Sequence, residues 1–334
     1  MKNQIKLGVI GVGRFGINYL KTLKESNDAS VKWICSSTED TLKKVIDELN
    51  ITDAIETTDY KEILKDKDVD AVIIATPAST HYRITKDSIL SGKHALVEKP
   101  MCLNSKDAED LLKISKNKKR ILMAGHLHLF NPGIQKIKHA IKQGLFGKIN
   151  YIGISHFGNG PIRSDMSALW DFFPHSISIL LYLLEKNPVE ISVNGASFIR
   201  KGIEDIAAMN LKFPDNIFAT SSCSWLYPLK KFEIVVAGEK LYAVFDDYAK
   251  NAKLKYYNSR PKLINGKIII EDKGHQAIDI EDAKPLAQQL SYFLACINQN
   301  KIEINDAENA LKITKIIEFG QDSLRKSKSV RIRL

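Results

Sequence analysis

The stretch Ile5-Lys-Leu-Gly-Val-Ile-Gly-Val-Gly-Arg-Phe-Gly-Ile-Asn-Tyr-Leu20 decides the first half of the fold. Ile5–Ile10 reads as an apolar strand, and from Arg14 to Glu25 apolar residues recur at helical spacing (Phe15, Tyr19, Leu20, Leu23). Between them stands a GxGxxG. Gly11 permits the tight turn, Gly13 lets the backbone approach a pyrophosphate, and Gly16 lets helix and strand pack closely. The N-terminus of the following helix offers N–H groups and a positive dipole end to phosphates. The loop is therefore expected to bind a dinucleotide through Gly11, Gly13, Arg14, Phe15 and Gly16.

Further along, Val31–Cys35, Val69–Ala75 and His94–Val97 are short Val/Ile/Ala/Leu runs, each followed by a helical pattern. Strands apolar on both faces imply a parallel sheet covered by helices. Residues 1–125 are read as α/β, a doubly wound Rossmann domain. The character changes after about residue 147. Lys148–Phe157, Glu190–Ile199, Ala207–Phe213, Ile217–Trp225 and Phe232–Ala237 are successive strand candidates, interrupted by one strong helix, Ser167–Leu184. Residues 126–334 are expected to form an α+β domain on an open, mostly antiparallel sheet. Its closing helices, Pro285–Asn298 and Asp306–Ser327, are free to pack back on the first domain.

Composition narrows the functional classes. At 334 residues, 44% hydrophobic and 26% charged, the chain suits a two-domain globular protein, not a disordered one. No apolar run approaches the roughly 20 residues of a membrane-spanning helix, and no signal-peptide pattern opens the chain. Four cysteines lie far apart without a CxxC, so reduced thiols and a cytoplasmic location are expected. The net charge of +10 is dispersed, and no nucleic-acid-binding motif accompanies it. It points weakly to a small anionic ligand.

The ribose-reading position closes the second strand, in Cys35-Ser36-Ser37-Thr38. An acid there would select the 2′-hydroxyl of NAD and an arginine the 2′-phosphate of NADP. Ser36 and Ser37 serve either; neither they nor Thr38 brings a positive charge, and a helix is expected to carry Lys43 and Lys44 away from the ribose, so NAD is expected and NADP stays open.

Ala75-Thr-Pro-Ala-Ser-Thr-His81 after the fourth strand and Glu98-Lys-Pro100 after the fifth, with the glycine loop, resemble the Gfo/Idh/MocA oxidoreductases. The resemblance implies that Thr76, Pro77, His81, Glu98 and Lys99 join the cofactor set. It also implies that Lys99 reaches nicotinamide and substrate, and that its bond to Pro100 is often cis. A lysine suits the place, since an ammonium donates to sugar hydroxyls and desolvation eases proton transfer. In Trp170-Asp-Phe-Phe-Pro-His175, Asp171 and His175 share a helical face and match the family's Asp-x-x-x-His. The resemblance makes His175 the general acid/base.

Gly125-His-Leu-His-Leu-Phe-Asn-Pro132 is read as an extended junction with His126 and His128 on one face. No Asp, Glu or Cys completes a ligand set nearby, so no metal is expected. Asn131 is expected in the substrate cleft, as is Trp170. The segments around Arg163, Asp171 and Ser224–Pro228 look like those of nucleotide-sugar members that oxidise the C3 hydroxyl of UDP-N-acetylglucosamine before an aminotransferase acts, on a route to lipid A. Arg163 is then either an anchor for the UDP phosphates or a plain surface arginine. Ser176, where many relatives carry Asp, and Ser36 depart from the pattern. Two readings stay beside this one: a dehydrogenase or ketoreductase of a free sugar or inositol, and a dinucleotide-binding regulator without turnover. A homodimer or homotetramer is expected, because the sheet's second face needs cover.

Overall fold

The structure, a computed structural model, describes every residue but 1–3, 160, 161, 164, 259 and 272. It divides into two compact units. The first runs to Leu127 and takes in Lys284–Thr314; the second is His128–Ala283 with Lys315–Leu334. The segment 284–314, at the far end of the chain, thus belongs with the first unit.

The first unit holds strands β1 (Ile5–Ile10), β2 (Ala29–Cys35), β3 (Ile55–Thr57), β4 (Ala71–Ile74), β5 (His94–Glu98) and β6 (Leu122–Gly125). They form one parallel sheet in the order β3-β2-β1-β4-β5-β6. Helices α1 (Gly16–Lys24), α2 (Glu39–Leu49), α3 (Tyr60–Lys65), α4 (Ala78–Leu90) and α5 (Ser105–Lys118) follow successive strands. Every residue of β4 is buried, as is all of β1 except Lys6, which is why both read as unbroken apolar runs. Truncating such a side chain, Ile73 or Leu96, to Ala would cost roughly 2–5 kcal/mol. Chain direction across the sheet reverses between β1 and β4, the switch point where open α/β sheets place their ligands. Helix α2 begins at Glu39, and the Thr38 hydroxyl accepts from Thr41 N–H and caps it.

The second unit contains α6 (Pro132–Lys142), α7 (Ala168–Leu184) and strands β7 (Ile149–Asn159), β8 (Glu190–Ala196), β9 (Ile206–Phe213), β10 (Ile217–Ser224), β11 (Leu226–Gly238), β12 (Tyr242–Asp246) and β13 (Leu254–Tyr257). A hairpin, β14 (Arg260–Ile264) and β15 (Lys267–Glu271), precedes β16 (His275–Ile278); α8 (Pro285–Gln299), α9 (Ala307–Lys326) and β17 (Val330–Arg331) close the chain. Nine strands pair as β16-β13-β12-β11-β7-β10-β9-β8-β17, antiparallel except for β7 beside β10. Burial alternates along β10 as its side-chain pattern requires, save that Ser224 is buried too. Helix α7 is buried on nearly every face, as its apolar composition demands, and the Ser221 hydroxyl of β10 donates to Ser176 at 2.8 Å.

Strands β12–β16 went unread in the sequence. Their patterns are short, and β14–β15 exposes Leu263, Ile268 and Ile270 to solvent. The legible signal there is Asn265-Gly266, both at positive φ, the turn chemistry of a two-residue hairpin. Among the described residues, no helix is long and apolar enough to cross a membrane. All four cysteines are free and buried.

Candidate functional site

The glycine loop has the backbone geometry that dinucleotide binding calls for. Gly11 sits at φ +90°, and a Cβ there would lie 2.8 Å from the Ala75 carbonyl. A Cβ on Gly16 would fall 1.8 Å from the Gly11 oxygen, so only glycine lets α1 start this close to β1. Gly13 differs: a Cβ would meet nothing within 4 Å, leaving open space beside the backbone where a pyrophosphate belongs. Gly11 N–H donates to Cys35 O and Ala75 N–H to Ile10 O, both at 2.8 Å, locking the loop to its neighbours. Arg14 and Phe15 stand exposed at its rim. At the end of β2, Ser36 is buried and its N–H reaches Thr57 O, whereas Ser37 is exposed. A cleft of about 350 Å³ at Thr57 is lined by Glu39, Glu56 and Lys43 as well, so α2 does not carry Lys43 away from it as expected. Two carboxylates against one ammonium oppose a 2′-phosphate there.

Around the loop, Thr76 bonds the Thr80 hydroxyl at 2.7 Å, and Pro77 is exposed ahead of α4. His81, 1% exposed, serves as a strut: Nδ1 lies 2.8 Å from Pro100 O and Nε2 2.8 Å from Thr76 O. It ties the turn after β4 to the turn after β5, so its place is behind the loops. Lys99 is half-buried, and its bond to Pro100 is cis. Glu98 accepts from the Tyr19 hydroxyl at 2.6 Å, and Gln289 Nε2 donates to that hydroxyl at 3.0 Å. Neither Tyr19 nor Gln289 was singled out in the sequence as more than a helical residue.

In the second unit, α7 carries Asp171 and His175 one turn apart, and a cluster of rings surrounds His175. The His128 ring meets it edge-on at 4.6 Å and the His156 ring lies 5.7 Å away. Phe232 packs on His128 and His156, and Phe172 on His156. The Trp225 indole N–H donates to Asp171 Oδ2 at 3.1 Å. The sequence marks Trp225, just after β10, only as part of the Ser224–Pro228 segment, and does not mark His156, from β7, at all. His156 lies in Ser-His-Phe, an ordinary strand alternation that becomes meaningful only once β7 is placed beside α7. Among the described residues, no group of three or more His, Cys, Asp or Glu side chains is arranged to hold a metal ion.

The remaining expected residues have structural employment. Leu127–Phe130 is a 3₁₀ turn, so the expected extended segment is not formed; His126 is buried in the first unit and His128 belongs to the second. Asn131 caps α6 through Gly133 N–H at 2.9 Å and points its amide at Asp247. Trp170 is buried on α7. Arg163 binds Asp165 with two parallel hydrogen bonds, 2.9 and 3.0 Å, while its carbonyl accepts from Arg200. A phosphate at Arg163 would compete with that carboxylate.

Comparison with known proteins agrees with this geometry. Residues 5–126 match the model of an oxidoreductase family with an NAD-binding Rossmann fold, and residues 134–244 match the GFO/IDH/MocA C-terminal domain. The chain is 27% identical over 219 residues to myo-inositol 2-dehydrogenase of Thermotoga maritima, covering 63% of this chain and 65% of that one. It is 25% identical over 231 residues to UDP-N-acetylglucosamine 3-dehydrogenase of Acidithiobacillus ferrooxidans, covering 69% and 71%. The solved structure of the latter protein superposes with TM-score 0.83 at 21% identity, over 97% of this chain and 98% of that one. With its glycine loop, its Glu-Lys-Pro turn and both domain types in order, the chain belongs to the Gfo/Idh/MocA oxidoreductases, whose first domain is an NAD-binding Rossmann fold.

Proposed function

We propose that the protein oxidises the C3 hydroxyl of a UDP-amino sugar, UDP-N-acetylglucosamine, to the 3-keto sugar. The observation that carries an acid/base role is the Asp171–His175 pair on α7, with Trp225 fastening Asp171 and two further imidazoles against His175. A regulator that only sensed a dinucleotide would need the glycine loop but no such set. Bound NAD supplies the hydride acceptor. The chain's own contribution is the proton: the sugar hydroxyl gives it to the His175 imidazole or the Lys99 amine. Asp171 steadies the charge that His175 would gain.

The choice of sugar is supported by the likeness to the Acidithiobacillus enzyme and by the segments around Asp171 and Trp225. The Thermotoga relative keeps inositol as the second reading. Ser176 is the chain's own mark: it is fully buried and spent on Ser221, so it pins helix to sheet. An aminotransferase consuming the ketone is the partner this chemistry calls for, in the cytoplasm, as a step toward diamino sugars of surface glycolipids. We further propose a homo-oligomer that covers the open face of the nine-stranded sheet; light scattering showing only a 37.6 kDa species would refute that part. The function itself is tested by incubating the protein with NAD, a partner aminotransferase, glutamate and UDP-N-acetylglucosamine, with myo-inositol in a parallel arm. A product of the mass of the 3-amino sugar nucleotide supports the proposal. NADH formation with inositol alone selects the second reading, and none with either substrate overturns both.

A further inference from the structure

We propose that Tyr19 and Gln289 are positioning residues for Glu98 and Lys99: a one-way chain of hydrogen bonds that holds the Glu98 carboxylate in place and, through it, the lysine. The inference rests on the reading of Lys99 as the group that meets substrate.

Three elements far apart in sequence supply the chain: α1, β5 and α8, all within the first unit. Tyr19 and Gln289 are fully buried. A carboxylate only accepts, so at 2.6 Å the Tyr19 hydroxyl must give its proton to Glu98 Oε1. The phenol oxygen is then left with lone pairs, and Gln289 Nε2 donates to it at 3.0 Å. Both donors run toward Glu98, and neither can reverse while that carboxylate is ionised. Burial first, then the charge of Glu98, pushes the Tyr19 pKa well above 10, so the hydroxyl keeps its proton across the whole working range. The other oxygen, Oε2, takes the Lys99 N–H at 3.2 Å. On the far side, a Cβ at Gly125 would come within 3.1 Å of Oε1, so the carboxylate occupies a slot that fits it and little else. Loss of the phenol hydroxyl would leave a part-buried charge short of a donor, and the side chain would turn to find another. The lysine is the next residue, so its head group would feel that turn.

A tyrosine that merely filled the core would also destabilise on mutation, so stability cannot decide the matter. We would measure the rate at which Lys99 is acetylated by acetic anhydride in the full-length, NAD-loaded protein. Peptide mass mapping would compare it with the other lysines, and kcat and the KM for NAD would be taken alongside. Tyr19→Phe, which removes one oxygen, should change Lys99 labelling at least about threefold with the other lysines unaltered. It should lower kcat about tenfold with KM for NAD within about twofold. Gln289→Met should act in the same direction and less strongly, and it carries the test if Tyr19→Phe does not fold. In a Glu98→Ala background, Tyr19→Phe should add nothing, because the residue acts through that carboxylate. Unchanged Lys99 labelling in both variants overturns the proposal, and so does an equal effect of Tyr19→Phe with or without Glu98. Full turnover in Lys99→Ala would instead sink the catalytic reading of Lys99, and the labelling result would stand on its own.

Discussion

The glycine loop and the histidine cluster use opposite materials. In the loop, function rests on what is missing: three absent Cβ atoms let main chain approach main chain, or leave room beside it. In the cluster, the proposed acid/base role rests on side-chain rings brought together, edge-on or tilted, from α7, β7 and the 3₁₀ turn at Leu127–Phe130. The first is a property of six consecutive residues; the second exists only after a sheet has formed. A loop of that kind should fail abruptly when a carbon atom is added, while a ring cluster should lose function by degrees.

The largest effect belongs to the loop. Gly16→Ala puts a Cβ 1.8 Å from the Gly11 oxygen, so the variant should be grossly destabilised, with little folded protein recovered by circular dichroism. Gly13→Ala sharpens the contrast. It meets no protein atom within 4 Å, so its melting temperature should match the wild type while NAD affinity falls by about tenfold or more in a fluorescence titration. Equal melting losses in both would break the division between packing glycine and ligand glycine.

Next in size are the candidate acid/base residues. His175→Ala and Lys99→Ala should each lower turnover by ~10²–10⁴ while leaving NAD affinity nearly intact. Wild-type rates in both would remove the mechanism from these residues and turn attention to His128 and His156. A smaller loss is expected from Trp225→Phe, which keeps the bulk of the ring but takes the 3.1 Å donor from Asp171. A drop in kcat of about three- to tenfold, less than for His175→Ala, is the expected result of steady-state assays. A loss as large as that of His175→Ala would mean that Asp171 does more than orient the imidazole.

The smallest effect lies at the other end of the β5 strand, in His94. Burial first, then Arg120, pushes its pKa down from 6.5 to about 4, and its Nδ1 accepts from Ile121 N–H at 2.9 Å. The unfolded chain therefore takes up a proton below about pH 6.5 that the folded ring refuses until about pH 4. The contribution to stability is complete above pH 6.5 and drains away as the pH falls to 4. His94→Asn, whose amide oxygen can replace the acceptor, should show a shallower fall of melting temperature over that window; an identical fall would refute the assignment.

How much of this was legible depended on range. Gly11–Gly16, Glu98-Lys99-Pro100 and the Asp171–His175 spacing each carry their meaning within a few residues, and each occupies the expected element. The nine-stranded sheet was legible where alternation ran long, in β9 and β10, and illegible through β12–β16, where short strands expose apolar residues. That His81 braces two turns, its two nitrogens facing Thr76 O and Pro100 O, is visible only in the structure. His156, Tyr19 and Gln289 have no motif, and the Ser224–Pro228 segment that holds Trp225 does not reveal its bond to Asp171. Their partners lie 16 to 270 residues away, and only the folded topology supplies them.

The return of Lys284–Thr314 to the first unit has a consequence for biosynthesis. Ala307, Ala310 and Leu311 pack into the same apolar cluster as Val72, Ile74 and Leu122. During translation, at about 5–20 residues per second, the nucleotide domain leaves the ribosome early but lacks these side chains until the last part of the message is read. Its sheet must wait, partly uncovered, while His128–Ala283 of the second unit is made. A nascent chain stalled before residue 284 should therefore hold a protease-sensitive first domain, one that a chaperone would be expected to shelter.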